Sequence, residues 1–183
     1  MPANLFGLPT HILLLHVVIV LLPICAVATV FVVLSGRFRH RWGLSVVVLT
    51  FITTLFVPLT TQSGESLADR LPEVPAIEHH AEIGQQLIVW AAVFGLCLVG
   101  AVVLDLLRRV SLPTGELTTS ESWARSHLPT AWHRSSPGWA DPAFRVFQVL
   151  ALLTAIAVVF MVIRAGHSGA QAVWSHYRNL KPA

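Results

Sequence analysis

The stretch ILLLHVVIVLLPICAVATVFVVLS, residues 12–35, is almost wholly apolar and contains no acidic or basic side chain other than one histidine. A helix needs roughly 17 to 25 apolar residues to cross the hydrocarbon core of a bilayer, and this stretch is long enough. Pro23 lies inside it and predicts a kink but no break, because neighbouring helices in a membrane satisfy the freed backbone groups. A cleaved signal peptide is the competing interpretation, but the segment lacks a positive n-region and its apolar run is too long.

Three further stretches have the same character, at residues 43–60, 83–107 and 144–163. The chain has 183 residues, of which 55% are hydrophobic and 11% charged, and its mean hydropathy of +0.70 exceeds that of an ordinary soluble domain. No internal repeat is visible, and the spans leave no room for a soluble domain of ordinary size. The sequence therefore predicts an all-α polytopic membrane protein, with residues 1–183 forming one four-helix bundle in the lipid bilayer.

The basic residues divide unevenly between the two predicted sides of the membrane. Cytoplasmic loops retain Arg and Lys, and eight of the twelve basic residues lie in the first loop and around the segment 108–143. That side carries a net charge of +4 and the opposite side −1. We therefore expect both termini on the extracytoplasmic side of a bacterial cytoplasmic (inner) membrane. The pI of about 9.5 then follows from topology and does not indicate nucleic-acid binding.

The segment 108–143 is rich in Pro, Ser and Thr and carries Trp123, Trp132 and Trp139. Because tryptophan prefers the membrane interface, we expect a cytoplasmic interfacial loop. Two interpretations are open: a surface linker anchored by these rings, or a docking surface for another membrane protein subunit.

Six of the nine histidines fall on the predicted outer side, at the start of the first and third spans and beyond the end of the fourth: His11, His16, His79, His80, His167 and His176. His16 lies roughly 8 Å below that surface at 1.5 Å per residue. Ionisable groups inside a membrane usually face the bundle interior and a partner. We therefore predict one interior pocket and candidate metal site formed by His16, Glu65 and His80, with His167 at its rim.

The third span indicates which of its two adjacent histidines turns inward. Gly84, Ala91 and Gly95 recur on one face, which predicts close packing of another helix. His80 lies one turn before Gly84 and shares that face, whereas His79 projects elsewhere.

Three uses of these histidines are open. Imidazole and carboxylate together suit Zn, Cu, Fe or Ni, and two imidazoles on facing helices can hold a b-type haem. The third use is structural, since buried polar groups must be hydrogen-bonded whatever their role. The spacing does not decide among them, because His11 and His16 are five residues apart and point about 140° away from each other on an ideal helix.

Other chemistry is sparse. Cys25 and Cys97 lie near mid-span, where a thiol behaves as a small apolar group, and we expect both to be free. The sequence has no nucleophile elbow and no phosphate-binding glycine loop, and the spans contain almost no charge. We therefore expect neither a transporter nor an enzyme that acts on its own.

Several short motifs occur in a characteristic order: Gly7-Leu8-Pro9 with His11 and His16, Ser63-Gly64-Glu65, His80-Ala81-Glu82-Ile83-Gly84, and Gly166-His167-Ser168-Gly169-Ala170 followed by Val173-Trp174. In order and placement they resemble the uncharacterised bacterial membrane proteins named domain of unknown function twenty-two thirty-one, over most of the chain. Ile12 stands where a proline often follows the first histidine, so the resemblance assigns His11 no secure role. Relatives are sometimes joined to Rieske-type iron–sulfur domains. The resemblance therefore implies an accessory or structural subunit of a redox or respiratory membrane assembly, the alternative being a metal- or haem-binding electron-transfer protein.

Overall fold

A computed structural model describes residues 4–5, 8–70, 74–110, 122–123, 126–127 and 138–174. Within them the chain forms four long helices, α1 (Thr10–Leu34), α2 (Gly36–Ala68), α3 (Pro75–Val110) and α4 (Ala140–Trp174). Two short strands, β1 (Asn4–Leu5) and β2 (Leu8–Pro9), pair antiparallel just before α1. All four helices are long and apolar enough to cross a membrane, so the predicted fold of four membrane-spanning helices is confirmed. Trp132, His176 and most of the predicted loop 108–143 lie outside the described residues.

The helices extend beyond the apolar stretches that predicted them. α2 begins at Gly36, so the loop expected between the first two spans instead forms the first turns of this helix. It also continues to Ala68, and α3 begins at Pro75, well before the predicted span. Hydropathy marks where the hydrocarbon core ends, whereas a helix that is already nucleated adds one backbone hydrogen bond for each further residue.

A single residue, Ser35, separates α1 from α2. Its hydroxyl accepts a hydrogen bond from the Phe38 amide (3.3 Å) and so caps the N-terminus of α2. The Arg39 guanidinium donates to the carbonyls of Val32 (2.8 Å) and Val33 (3.1 Å), among the last residues of α1. These carbonyls have no partner inside their own helix, and a cation at a helix C-terminus also interacts favourably with the helix dipole.

The helices form a ring in chain order, in which each packs against two neighbours and α4 closes onto α1. The largest contact is between α3 and α4. The core contains Leu22 and Cys25 of α1, Val57 of α2, Phe94 of α3 and Val158 of α4. Both cysteines are free and buried, as predicted. Large apolar side chains on the outside of the ring face the lipid, so tight packing and hydrogen bonds, rather than removal from water, must hold the helices together.

The face of small residues on α3 packs against α2. A Cβ on Gly84 would lie 3.8 Å from Thr61 Oγ1, and one on Gly95 would lie 3.8 Å from Thr54 Oγ1. Ala91, between them, has no exposed surface. The predicted close-packing face is confirmed, and its partner is the second helix.

Polar side chains concentrate at the two ends of the bundle. The histidine end contains the start of α1, the end of α2, the start of α3 and the end of α4, with His11 and His80. The arginine end contains the opposite helix ends, with Arg39, Arg108 and Arg109. By the positive-inside rule, the arginine end is the one expected in the cytoplasm.

The arginine end is built around Asp105, which is only 6% exposed. Its Oδ2 accepts a hydrogen bond from Arg109 Nε (2.8 Å) and also lies 3.0 Å from Arg39 Nε in an ion pair. Arg108 pairs with Asp141, and the guanidinium groups of Arg39 and Arg108 both lie over the Phe144 ring, 4.9 and 4.5 Å from its centre. One carboxylate therefore faces two guanidinium groups near the core of the bundle.

Candidate functional site at the histidine end

His11 lies in the first turn of α1 and reaches across to the end of α2. Its Nδ1 is 2.9 Å from the carbonyl oxygen of Thr60, which also accepts a hydrogen bond from the Ser63 hydroxyl (2.8 Å). A carbonyl can only accept, so Nδ1 must carry the proton in this hydrogen bond. In the neutral ring, Nε2 is then unprotonated and retains its lone pair.

His80 makes the corresponding contact between α3 and α4. Its Nδ1 is 2.9 Å from the Ser168 hydroxyl, and that hydroxyl donates its only hydrogen to the Ala165 carbonyl (3.1 Å). The serine oxygen must therefore accept from His80, which again places the ring proton on Nδ1. Both tautomers are assigned from their hydrogen-bond partners, and both leave Nε2 as a base in the neutral state.

Glycines on the neighbouring helices make room for both rings. A Cβ on Gly64 would lie 2.8 Å from His11 Cε1 and 2.9 Å from its Nδ1, closer than real Cβ atoms approach. A Cβ on Gly169 would lie 3.1 Å from His80 Cε1. The rings therefore rest directly on the backbones of α2 and α4, which explains why Ser63-Gly64 and Ser168-Gly169 both place a serine beside a glycine.

The two imidazoles also face each other inside the ring of helices. Their centres are 6.3 Å apart and their planes are nearly perpendicular, at 84°. Both residues are partly buried. One end of the bundle thus brings together two imidazoles whose Nδ1 atoms are engaged by the protein and whose Nε2 atoms retain a lone pair, an arrangement suited to metal ligation. We refer to them below as the histidine pair.

His16 does not join this pair. Its side chain is exposed on the outside of α1, and its Nδ1 lies 2.6 Å from the Ile12 carbonyl of its own helix. The predicted interior position of His16 is therefore wrong. Helix geometry explains the error, because residues five apart point about 140° away from each other, so an inward His11 turns His16 outward. The carbonyl four residues back satisfies the ring without any partner from the bundle interior.

Glu65 and His167 are exposed and contact other side chains. Glu65 is exposed, and its Oε1 accepts from the Gln85 side chain at 3.4 Å. His167 is exposed, and its Nε2 lies 3.0 Å from Gln171 Nε2, one turn along α4. The predicted pocket of His16, Glu65 and His80 is thus wrong in two of its three members. Metal binding by His16, Glu65, His80 and His167 stays a prediction that no contact among these four supports.

The two adjacent histidines of α3 divide as predicted, but the predicted shared face is wrong, because His80 contacts α4 whereas Gly84 and Gly95 lie against α2. His80 turns into the bundle, whereas His79 is exposed and its Nδ1 lies 3.8 Å from Glu82 Oε2 on the same helix. Among the described residues, no three His, Cys, Asp or Glu side chains are grouped so that they could hold a metal ion together. The histidine pair is thus a set of two imidazoles.

His11 is the site residue that the sequence analysis missed. A signal for it was present in the 140° angle between His11 and His16, because only one of the two can face the bundle interior. The sequence motifs already included Ser63-Gly64 and Ser168-Gly169. Their contact with the imidazole rings could not be predicted, because it depends on which helices are neighbours.

A model of the family described as "Predicted membrane protein (DUF2231)" matches residues 7–181. The chain belongs to this family. The match includes all four helices and both members of the histidine pair, and it confirms the resemblance inferred from the short motifs. No curated protein and no solved structure matches the chain.

Proposed function

We propose that this family member is an accessory subunit of a redox or respiratory assembly in the cytoplasmic membrane of a bacterium, and that its histidine pair binds a transition-metal centre at the extracytoplasmic face. The observation that carries the proposal is the anchoring of both Nδ1 atoms by the protein. Ligating histidines usually donate the other ring N–H to a carbonyl, carboxylate or water, which orients the ring and leaves Nε2 as the ligand.

The separation of the two rings supports this use. Imidazole nitrogen binds Zn²⁺ at about 2.0 to 2.1 Å, so two imidazoles that share one ion through Nε2 have ring centres roughly 5 to 6.5 Å apart, depending on the N–metal–N angle. The observed distance of 6.3 Å falls within that range. Imidazole ligands suit Zn, Cu, Fe and Ni, and iron within a b-type haem would use the same two Nε2 atoms.

Two protein ligands leave further coordination positions of such an ion to be filled. In the described residues, no third His, Cys, Asp or Glu lies close enough to complete the site. Another part of this chain, another subunit, a small ligand or water would complete it.

The competing hypothesis is that the pair is structural, because the same hydrogen bonds join α1 to α2 and α3 to α4. Substitution of these histidines by asparagine or glutamine distinguishes the metal-binding role from the structural role. An asparagine amide can replace the Nδ1–H donor while it removes Nε2, whereas a glutamine amide reaches toward the Nε2 position and loses the short anchoring contact.

The test is metal analysis and absorption spectroscopy of the full chain purified from membranes, with His11→Asn and His80→Asn as the principal variants. We expect metal near one equivalent per chain, or a Soret band if the iron is in haem. Both asparagine variants should lose the metal and the stability that the metal adds, and should unfold close to the temperature of the metal-free parent protein. His16→Asn is the matched control and should retain both properties, because His16 lies outside the bundle.

Two results would overturn the metal proposal. One is a purified protein with neither a Soret band nor bound metal after supplementation with Zn²⁺, Cu²⁺, Fe²⁺ and Ni²⁺. The other is full metal retention in both asparagine variants. Pull-down under mild detergent with mass spectrometry tests the accessory role separately, and consistent purification as a lone monomer contradicts it.

A further inference from the structure

A groove opens between α2 and α3 at the arginine end. Its wall is apolar and includes Leu44, Val99 and Val103, all of which have substantial exposed surface. Arg39, His40 and Arg109 lie at its mouth. The groove therefore has an apolar part at the level of the lipid tails and a cationic part where the apolar stretch of α3 ends, the depth at which headgroups lie.

The charges at this mouth do not cancel. Asp105 provides one negative charge for Arg39 and Arg109, and both approach the same oxygen, Oδ2. In the described parts of this end, residues 36–41, 105–109 and 141–145, six arginines face two aspartates, which gives a net charge of +4. An excess of positive charge at the mouth attracts a ligand that carries negative charge.

Arg109 is the cation best placed to bind that ligand. Its Nε is engaged by Asp105, and among the described residues its two terminal nitrogens make long contacts, 3.3 Å to the Gly36 carbonyl and 3.4 Å to His40 Nδ1. Its side chain is 31% exposed. A phosphate oxygen is a stronger acceptor than the uncharged Gly36 carbonyl, because its negative charge attracts the guanidinium and a phosphate can accept from two guanidinium nitrogens at once.

Trp123 also lines the groove. Tryptophan is enriched at the membrane interface, where its ring lies among the lipid headgroups. An apolar wall, a cationic mouth and an indole at the boundary together match the parts of one amphipathic molecule.

We propose that this groove binds an anionic phospholipid, with the phosphate at Arg109 and His40 and an acyl chain along the wall that includes Val99 and Val103. Basic sites between membrane helices on the cytoplasmic side bind lipid headgroups in this manner. The proposal is independent of the histidine pair, which lies at the other end of the bundle.

The test is native mass spectrometry of the full chain in micelles that contain equal amounts of phosphatidylglycerol and phosphatidylcholine. A cationic side chain near an anionic lipid surface contributes about 1 kcal/mol, so we expect a roughly fivefold preference for phosphatidylglycerol. Arg109→Gln should bring the ratio of bound lipids close to one. Arg145→Gln removes the same charge from an exposed position on α4 and should preserve the preference.

A second variant tests the groove without a change of charge. Val103 is 45% exposed, and Val103→Trp should fill the apolar part and reduce the fraction of protein that retains phosphatidylglycerol. Unchanged retention in this variant would overturn the proposal. An equal loss of preference in Arg109→Gln and Arg145→Gln would also overturn it, because diffuse surface charge would then account for the binding. Both lipids are present in each sample, so a general loss of stability reduces the binding of both. Such a loss does not change the ratio of bound phosphatidylglycerol to bound phosphatidylcholine.

Discussion

Polar groups from all four helices meet at both ends of the bundle, but the two ends differ in the kind of interaction. At the arginine end, Asp105 and Arg39 are charged partners beneath the surface. At the histidine end, His11 and His80 are engaged through hydrogen bonds at Nδ1, and each ring lies on a glycine of a neighbouring helix. The buried charges of the arginine end pair with each other, whereas each imidazole of the histidine end is held through Nδ1 and leaves Nε2 without a proton in the neutral ring.

The first prediction concerns which end of the bundle faces the cytoplasm, and the expected difference in labelling is all or none. In a protein with Cys25→Ala and Cys97→Ala, Ser66→Cys should react with an impermeant thiol reagent on intact cells, because it is exposed near the histidine end. Ser126→Cys, in the segment that follows α3, should react only after lysis. The reverse labelling pattern would place the histidine end in the cytoplasm and remove the extracytoplasmic site.

Removal of the buried carboxylate should give the next largest effect. Asp105→Asn leaves the Arg39 guanidinium, whose side chain is 10% exposed, without its counter-charge. Breaking a buried ion pair from one side typically costs about 3 to 5 kcal/mol, measured here as the free energy of unfolding in detergent. The matched control is Asp141→Asn, whose side chain is 60% exposed and whose loss should cost less than about 1 kcal/mol.

The double variant Asp105→Asn with Arg39→Gln sharpens this test. If burial of an unpaired charge causes the loss, removal of the second charge should restore part of the stability. Equal losses in the single and double variants would instead mean that the Arg39 contacts with the α1 carbonyls dominate.

The close approach of His11 to α2 predicts opposite signs for two similar substitutions. Gly64→Ala places a methyl group against the imidazole ring and should destabilise the protein by about 1 to 3 kcal/mol, as overpacking usually does. Gly166→Ala, within α4, meets no atom within 4 Å and should stabilise it by roughly 0.5 to 1 kcal/mol, the helix propensity gain of alanine. Thermal unfolding of the two variants side by side is the measurement, and a stabilised Gly64→Ala protein would contradict the described ring position.

The smallest expected effect belongs to His16. Because it is exposed on the lipid-facing side of α1, His16→Leu should change the free energy of unfolding by no more than about 0.5 kcal/mol. A decrease in the free energy of unfolding of more than about 1 kcal/mol would instead indicate that His16 faces the bundle interior. It would contradict the inward position of His11.

The sequence was sufficient for the number of helices and for the packed face of α3, because both depend on local pattern. Hydropathy locates the spans, and the spacing of Gly84, Ala91 and Gly95 identifies a face. The helix ends were less predictable, since the arginine-rich stretch from Gly36 to Trp42 can form either a loop or the first turns of a helix.

The site was only partly predictable for a physical reason. That His80 faces inward follows from one helix, but its contact with Ser168 requires knowledge that α3 and α4 are neighbours. The inward position of His16 was predicted from a general rule, that ionisable groups in membranes face the bundle interior. Its angular position on α1 relative to His11 was not used. A histidine near a helix end can form a hydrogen bond from its ring nitrogen to a carbonyl of the preceding turn. It therefore needs no partner in the bundle interior.

The junction at Ser35 bears on the order in which the chain is assembled. Carbonyls at the end of the first helix accept hydrogen bonds from Arg39, which the ribosome adds only after that helix is complete. One connecting residue is too short for the first two helices to enter the bilayer independently and find each other later. Because the positive-inside rule keeps arginine-rich loops in the cytoplasm, we expect the two helices to insert together as a hairpin whose arginine-rich bend remains on that side.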